Sequence, residues 1–325
     1  MAKKVLFINL GGIGDEIMFL PAIISFKKEY PDSHITLALE KRSRAIIDLT
    51  NLIDELIFVD KTKRGMLTLL MQMWTKHFDT IISSGSNKLI SVLLFLSGVK
   101  TRVGYNNGKL SQKLLTHAVA LNKNQYAVKM YHTLVEPFTK NITEIPQFNI
   151  TPKSKKSNTI LIHPGVSRKS FEQGMIKTIT PEAWAELIEE LAKSGKEIIL
   201  TGGKDDLETI KLIKSKLLTT SYTDLSGTTS SIKELAEMIS EAETFVCSDS
   251  APLHIAVGMG TKTFVFFGST DYKKLIPNNK QVIPILNDFA CPLRPCLWER
   301  RQTSCQELGC LKFDITKVAK QILEQ

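Results

Sequence analysis

The sequence predicts an α/β fold in which two Rossmann-like domains, each with a doubly wound parallel sheet, follow one another along the chain. Three observations support this prediction. The chain has 325 residues, which suits two domains of about 150 residues better than one. Short apolar runs typical of buried strands alternate with helical segments, as parallel βαβ units require. A polar break near the middle predicts an N-terminal domain over residues 1–152 and a C-terminal domain over residues 153–325.

The first half starts with a buried-type strand at residues 4–9, followed by a glycine-rich turn at residues 11–14. A helix is predicted from Asp15 to Tyr30, and it tolerates Pro21 near its first turns. Further strands are predicted at residues 34–39, 56–59 and 80–83, with helices up to Leu49 and over residues 66–76. Proline and a run of lysine, serine and asparagine at residues 147–158 then predict the linker.

The second half repeats the alternation of strands and helices. Strands are predicted at residues 159–163, 197–200, 244–247 and 263–267. Helices are predicted at residues 181–193, 207–217, 232–241, 252–259 and 314–323. Two such domains predict a ligand between them, at the carboxyl ends of both sets of strands.

Composition and charge narrow the class of protein. Hydrophobic residues make up 43% and charged residues 23% of the chain, as in globular proteins. The longest apolar run, around residues 93–96, is far shorter than the roughly 20 residues of a membrane span, and the N-terminus lacks the pattern of a signal peptide. We therefore expect a cytoplasmic location.

The positive charge is concentrated in the first half. Lysine and arginine minus aspartate and glutamate give 19 − 12 = +7 for residues 1–152 and 23 − 21 = +2 for residues 153–325. This favours an anionic acceptor or docking surface, namely phosphorylated lipid headgroups, phosphosugars or nucleic acid. Aromatic residues do not interleave with the basic ones, so nucleic acid is not expected as a partner. The alternative is a lysine-rich surface that only keeps the protein in solution.

The stretch from Cys247 to Gly260 has the pattern of a strand end, a turn and a helix start that can hold an anion. Asp249 and Ser250 are predicted as N-cap residues, and Pro252 suits the first helical position. A helix N-terminus carries a partial positive charge and exposed amides, which suit a phosphate. His254 lies in the first turn. The alternative is an ordinary capped helix in which His254 only packs.

The glycine-rich turn after the first strand allows two interpretations. Gly12 and Gly14 are present, but Ile17 stands where the dinucleotide-binding fingerprint has its third glycine. Glu40, at the end of the second strand, could take the place of the ribose-binding acid, so an NAD-dependent dehydrogenase remains an alternative. Asp15 lies where the turn becomes a helix, where either a catalytic carboxylate or a simple helix-start acid fits.

Taken in order, the motifs of the whole chain resemble those of the family 9 glycosyltransferases, whose best-known members are the ADP-heptose:lipopolysaccharide heptosyltransferases. The motifs are Gly14-Asp15 followed by Pro21, Arg102-Val103-Gly104-Tyr105, His163-Pro164-Gly165, Lys177 before Pro181, Gly202-Gly203, Leu225-Ser226-Gly227, Ser248 to Ala256, and Phe267-Gly268-Ser269-Thr270. The resemblance implies a GT-B fold with two facing Rossmann-like domains. It also implies an acceptor site on the N-terminal domain, a nucleotide-sugar site on the C-terminal domain, and an inverting transfer that needs neither a catalytic metal nor a cofactor.

The resemblance also implies roles for individual residues. Asp15 matches the family's catalytic base, and Lys177 matches the lysine that approaches the donor phosphate. Ser250 stands where the family usually has threonine, and Ala251 where it usually has glycine, which adds a methyl group close to the diphosphate. The donor-binding residues implied are His163, Ser167, Lys177, Gly203, Asp249, Ser250, Ala251, Pro252 and His254, and the acceptor-binding residues are Gly12, Gly14 and Arg102.

Four cysteines near the C-terminus form a second cluster of candidate residues. Cys291, Cys296, Cys305 and Cys310 lie within twenty residues, and four thiolates so close could hold a structural zinc or iron ion. Reduced, packed thiols and disulfides are the alternatives. Cys247, inside a predicted strand, is expected in the core.

Together these observations predict an inverting glycosyltransferase that moves heptose from ADP-heptose to a lipopolysaccharide core or a related bacterial surface glycan. The acceptor would be an anionic glycolipid, and the enzyme would work at the cytoplasmic face of the inner membrane as a peripheral protein. One alternative keeps the fold and uses another nucleotide sugar or a protein acceptor. Another is a nucleotide-binding protein without transferase activity, for which Ala251 is the motivating residue.

Overall fold

The computed structural model describes residues 3–166, 168–218, 221–297 and 305–325. The chain divides into two compact units, Met1–Asn149 and Ile150–Gln325. This division falls inside the segment that the sequence predicts as the linker, three residues before the predicted boundary. Among the described residues, no helix has both the length and the apolar character needed to cross a membrane.

The first unit is a six-stranded parallel sheet with helices on both faces. Its strands are β1 (Lys4–Ile8), β2 (His34–Leu39), β3 (Glu55–Phe58), β4 (Thr80–Ser83), β5 (Thr101–Tyr105) and β6 (His117–Val119). Its helices are α1 (Ile13–Glu29), a 3-10 helix (Lys41–Asp48), α2 (Lys63–Lys76), α3 (Lys88–Leu96), α4 (Lys109–Leu114) and α5 (Ala127–His132). The strand order is β3-β2-β1-β4-β5-β6.

The second unit is also a six-stranded parallel sheet. Its strands are β7 (Lys156–His163), β8 (Glu197–Leu200), β9 (Thr223–Asp224), β10 (Ala242–Ser248), β11 (Lys262–Phe266) and β12 (Val282–Ile285). Its helices are α6 (Arg168–Glu172), α7 (Pro181–Ala192), α8 (Leu207–Lys214), α9 (Ile232–Glu241), α10 (Ala251–Met259), α11 (Tyr272–Leu275) and α12 (Ile315–Glu324), with 3-10 turns at Lys204–Asp206 and Gly309–Leu311. The strand order is β12-β11-β10-β7-β8-β9.

Both sheets therefore have the same doubly wound order, and the predicted α/β class with parallel sheets is confirmed. In such sheets, ligands bind at the carboxyl ends of the strands where the strand order reverses. That point lies between β1 and β4 in the first unit and between β7 and β10 in the second, where Cys247 pairs with His163. The candidate residues after these four strands are thus held by the centre of each sheet.

Apolar packing on both faces of each sheet explains why the strands are continuous hydrophobic runs. In the first unit, the Phe7 ring packs edge-on against Phe19 and Phe26 of α1, with centroid distances of 5.9 and 5.6 Å. In the second unit, the buried Trp184 of α7 packs edge-on against Phe266, with centroids 5.1 Å apart.

Several helix boundaries differ from those predicted. Helix α1 begins at Ile13, two residues before the predicted start, because Gly12 takes the extended N-cap conformation. The segment that ends near Leu49 is a 3-10 helix. Helix α10 begins at Ala251, so Pro252 occupies its second position, where a missing N–H is also harmless.

Candidate active site

Asp15 lies at the start of α1, directly after the carboxyl end of β1. Its carboxylate oxygen Oδ2 accepts a hydrogen bond of 2.8 Å from the backbone N–H of Gly12, the N-cap residue of the helix. A Cβ atom on Gly11 would lie 2.3 Å from the Asp15 Cβ, so only glycine lets the turn approach this side chain. The Ser43 hydroxyl donates to the Gly11 carbonyl at 3.0 Å. The half-buried carboxylate therefore sits on a turn that is fixed from both sides.

Glu16, the neighbour of Asp15, is a residue that the sequence analysis did not single out. It is 1% exposed, and its Oε1 atom accepts a long hydrogen bond of 3.4 Å from the Gly11 N–H. Burial raises the pKa of this carboxyl well above its usual range, the Asn9 amide lowers it by less, and the negative charge of Asp15 raises it further. A buried carboxyl with a raised pKa thus lies next to the turn that carries Asp15. The sequence signal for it was a second acid beside the predicted base.

Replacement of Glu16 by Gln is expected to raise Tm at neutral pH. Gln keeps an oxygen for the Gly11 N–H but has no proton to lose, whereas the pKa of the buried Glu16 carboxyl is raised. Wild-type stability therefore falls relative to the variant as the pH rises from the ordinary pKa of 4.5 towards the raised pKa, by up to about 1.4 kcal/mol per pH unit. Thermal unfolding of both proteins from about pH 4 to about pH 8 measures this difference. A difference in Tm between the two proteins that does not change with pH would contradict this prediction.

In the second unit, Lys177 and Asp249 form an ion pair at the carboxyl end of β10. The Lys177 ammonium nitrogen lies 3.2 Å from Oδ2 of Asp249, whose side chain is only 4% exposed. The Thr270 hydroxyl donates to the same oxygen at 2.8 Å. Asp249 therefore holds Lys177 in place and is not the N-cap residue that the sequence predicted. Lys177 itself keeps about a quarter of its side chain exposed, so its ammonium group can still reach an anion.

The residues on both sides of Lys177 are also fixed. The Ser269 hydroxyl donates to the Ile176 carbonyl at 2.9 Å. The Thr178 hydroxyl donates to the Pro164 carbonyl at 3.0 Å and accepts hydrogen bonds from the Ser248 hydroxyl and the Trp184 indole N–H. These contacts connect the loop before α7 with the ends of β7, β10 and β11. Lys177 is thus held by three strands that lie side by side in the sheet.

Helix α10 starts next to this ion pair. Ser250 has the extended N-cap conformation, with φ −151° and ψ 176°, yet its side chain makes no cap hydrogen bond. Its hydroxyl instead lies 3.4 Å from the Ser248 carbonyl. The positive end of the helix dipole and the Lys177 ammonium therefore belong to the same corner of the unit, which suits a phosphate group.

Two of the predicted donor residues on α10 are buried. Pro252 and His254 lie inside the unit, the histidine with 3% of its surface exposed, while Ala251 is partly exposed at the first helical position. The methyl group of Ala251 is thus the side chain that the helix start presents. His254 is thus buried among the residues that pack around α10.

The buried His163 and the partly buried Asp206 form a second pair, at the carboxyl end of β7. Their Nε2 and Oδ2 atoms lie 3.6 Å apart, and the same Oδ2 accepts a 2.8 Å hydrogen bond from the Gly203 N–H. A Cβ atom on Gly165 would lie 2.0 Å from Asp206 Oδ1, so glycine is required there. Burial lowers the pKa of His163, and the Asp206 charge opposes this to a smaller extent. Asp206 therefore contacts two loops, one containing Gly165 and the other Gly203. Both glycines belong to motifs that the resemblance to the family rests on.

Arg102, a predicted acceptor-binding residue, makes structural contacts within the first unit. Arg102 is the second residue of β5, level with Leu6 in the middle of β1, whereas Asp15 follows the carboxyl end of β1. Its guanidinium donates to the backbone carbonyls of Leu114 at 3.0 Å and of Val99. It therefore fastens the start of β5 to neighbouring loops. Gly12 and Gly14 remain at the Asp15 end, and Ser167 lies outside the described residues.

The cysteine cluster does not form the predicted metal site in the part of the chain that the structure describes. All five cysteines are free thiols, and no three His, Cys, Asp or Glu side chains among the described residues come close enough to hold a metal ion. Burial raises the pKa of the Cys296 and Cys310 thiols, which opposes the thiolate form that a metal needs. The burial of Cys296 and Cys310 agrees with reduced, packed thiols, one of the alternatives, whereas Cys291 is partly buried and Cys305 is exposed. Cys247 is buried in β10 as expected.

The segment that carries Cys296 and Cys310 instead supports the Lys177 corner, which consists of Lys177, Asp249, Thr270 and the start of α10. The Cys296 N–H donates to the Ser269 carbonyl at 2.9 Å. A Cβ atom on Gly268 would lie 2.5 Å from a Leu311 methyl carbon and 3.0 Å from the Cys310 carbonyl. The segment thus packs directly against the loop that supplies Thr270 to Asp249 and Ser269 to Ile176.

Comparison with known proteins identifies the family. The model of glycosyltransferase family 9 (heptosyltransferase) matches residues 66–303, which is well over half of the chain. The chain belongs to this family. The predicted family and the predicted enzyme class, a glycosyltransferase, are therefore confirmed.

Relatives and solved structures agree with this membership. The chain is 24% identical to lipopolysaccharide heptosyltransferase 3 of Escherichia coli over 278 residues, 80% of this chain and 82% of that protein. A family 9 glycosyltransferase from Veillonella parvula DSM 2008 matches 87% of this chain and 85% of its own, with a TM-score of 0.70 and 19% identity. An E. coli heptosyltransferase solved with ADP-2-deoxy-2-fluoro heptose matches 99% of both chains, with a TM-score of 0.69 and 17% identity. These likenesses confirm the predicted GT-B fold.

Proposed function

We propose that this family 9 enzyme transfers heptose from ADP-heptose to the core of a lipopolysaccharide or a related bacterial surface glycan. The observation that carries the proposal is the Lys177–Asp249–Thr270 cluster beside the start of α10, which suits the diphosphate of a nucleotide sugar. The names of the relatives support the sugar and the acceptor, since one is a lipopolysaccharide heptosyltransferase and another was solved with an ADP-heptose analogue.

In the proposed reaction, Asp15 is the base and the second unit binds the donor. The Asp15 carboxylate takes the proton of an acceptor hydroxyl, whose oxygen forms a bond to the anomeric carbon of the heptose. The bond from that carbon to the ADP oxygen breaks, ADP leaves with the electron pair, and the configuration is inverted. Lys177 and the amides at the start of α10 stabilise the negative charge that grows on the leaving diphosphate. No step of this reaction needs a metal ion or a cofactor.

The two units take different parts in the proposal. The first unit, with Gly12 and Gly14 beside Asp15, binds the acceptor. The second unit binds the donor with His163, Gly203 and Ser250 as well as Lys177. Ser167, four residues after His163 in the sequence, is proposed as a further donor-binding residue. An anionic glycolipid acceptor places the enzyme at the cytoplasmic face of the inner membrane as a peripheral protein.

A nucleotide panel followed by a transfer assay tests the proposal. ADP is expected to raise Tm more than UDP, GDP or NAD at equal concentrations, because binding to the folded state alone stabilises it. Incubation with ADP-heptose and lipopolysaccharide core acceptors of graded length should add the mass of one heptose to one of them. Stabilisation by UDP or GDP would indicate another donor, by NAD alone a dehydrogenase, and by none of them a protein without transferase activity. Each of these outcomes would contradict the proposal.

A further inference from the structure

The outer side of α2, α3 and α4 in the first unit exposes a group of large apolar side chains. We call this surface the α2–α4 face. Each of these side chains is between 48% and 72% exposed. They are Leu67, Met71, Trp74, Leu89, Phe95, Leu96 and Leu110.

These side chains are additional to the core. The inner side of α2 already buries Leu69, Leu70 and Met73 against the sheet, so Leu67, Met71 and Trp74 form a second apolar stripe that points outward. Helices rarely carry an apolar stripe on both sides unless the outer one has a partner.

The face is continuous from one helix to the next. The Trp74 indole N–H donates to the Leu96 carbonyl at 3.0 Å, which joins the end of α2 to the end of α3. The guanidinium of Arg102 lies over the Phe95 ring, 5.7 Å from its centroid. Helix α3 also packs against α4. Trp74 stays about half exposed, although the only polar atom of its indole ring is already hydrogen-bonded.

The same part of the chain carries the positive charge of the protein. Residues 61–135 contain 11 lysines and arginines and one acid, Asp79, so their net charge is 11 − 1 = +10, compared with +9 for the whole chain. Residues 80–135 contain no aspartate or glutamate. Exposed basic residues lie on the same helices as the apolar ones, namely Arg64 on α2, Lys88 on α3, and Lys109 and Lys113 on α4.

We infer that the α2–α4 face docks the protein onto an anionic lipid bilayer. Leucine, methionine and phenylalanine side chains can enter the boundary between headgroups and acyl chains, while nearby lysines and arginines stay at the level of the lipid phosphates. The exposed Trp74 ring suits this interfacial region. A nucleic acid would pair with the basic residues but would not bury the leucine side chains. Another copy of this chain would bring two strongly basic surfaces together, and these would repel each other.

This inference deepens the proposed function, because it assigns a surface to the membrane on which a glycolipid acceptor lies. It is tested on vesicles without donor or acceptor, so its failure is distinct from a failure of the proposed function. The full-length protein is mixed with vesicles of phosphatidylcholine, either pure or containing phosphatidylglycerol, and the bound fraction is measured by sedimentation. We expect binding to the anionic vesicles only, and weaker binding at higher salt.

Two triple variants separate the basic from the apolar contribution. Lys88→Gln/Lys109→Gln/Lys113→Gln should lower the partition coefficient by about a hundredfold, since each basic residue near an anionic surface contributes roughly a fivefold factor. Leu67→Gln/Met71→Gln/Leu89→Gln should lower it by at least about tenfold. The matched control, Leu212→Gln/Lys233→Gln/Lys280→Gln, changes exposed residues of the second unit and should bind as the wild type does. Unchanged Tm and heptose transfer to a water-soluble core oligosaccharide show that the variants are folded.

Three results would overturn the inference. The wild type could bind both kinds of vesicle equally or neither of them. Both triple variants could bind like the wild type. Light scattering could show a dimer that the apolar triple variant dissociates while vesicle binding is unchanged, which would make a second copy of the chain the occupant of the α2–α4 face.

Discussion

Replacement of Asp15 by Asn is expected to lower heptose transfer by about 10²- to 10⁴-fold while leaving ADP binding nearly unchanged. Asn keeps the shape of the side chain and an oxygen that can accept the 2.8 Å hydrogen bond from the Gly12 N–H, so the turn at the start of α1 should hold. The amide cannot take a proton from the acceptor hydroxyl. Steady-state transfer rates and ADP titration of the same protein samples measure the two quantities.

A control within the same helix makes this result specific. Glu29→Gln removes an exposed carboxylate at the far end of α1 and should leave transfer unchanged. If Asp15 serves only the helix dipole, Asp15→Asn would lower the free energy of unfolding by about 0.3–1 kcal/mol with normal transfer. Equal losses of transfer and of ADP binding would also exclude the role of base.

The architecture could be predicted from local pattern, because buried parallel strands are apolar runs separated by helices. The alternation of strands and helices also predicted that Asp15 follows β1 and that Ser250 precedes α10. No strand was predicted for β5, β6, β9 or β12, and no helix for α3, α4, α5, α6 or α11. All of these except α3 have six residues or fewer, which is too few to show a period. Local sequence also assigned Asp249 to a helix cap, although its carboxylate is used by Lys177 and Thr270.

The hydrogen bonds around the candidate site could not be predicted from local sequence pattern, because they join residues that are far apart in the sequence. Thr270 reaches Asp249 across 21 positions, Ser248 reaches Thr178 across 70, and Ser269 reaches Ile176 across 93. Such pairs become neighbours only when β7, β10 and β11 align in the sheet. The bonds from Arg102 to the Leu114 and Val99 carbonyls are a further case, because a motif's place in the sequence does not say which groups its side chains contact.

Replacement of Lys177 by Met is expected to lower heptose transfer by about 10²- to 10³-fold. The ammonium group would stabilise the diphosphate most strongly as it leaves, so kcat and kcat/KM should fall together. Lys193→Met is the matched control, because Lys193 also pairs with a carboxylate, Glu190, but is 68% exposed at the end of α7. This control should transfer heptose at the wild-type rate.

A second substitution at Asp249 distinguishes the effect of Lys177 on stability from its effect on transfer. Lys177→Met leaves Asp249, 4% exposed, with the Thr270 hydroxyl but without the neighbouring cation, so Tm should also fall. Adding Asp249→Asn removes the unpaired charge and keeps an oxygen for Thr270, so the double variant should regain much of the lost Tm. Its transfer rate should stay as low as that of Lys177→Met. If transfer returned together with Tm, the ammonium group would serve only to neutralise Asp249, and the cation that stabilises the leaving diphosphate would have to be another residue.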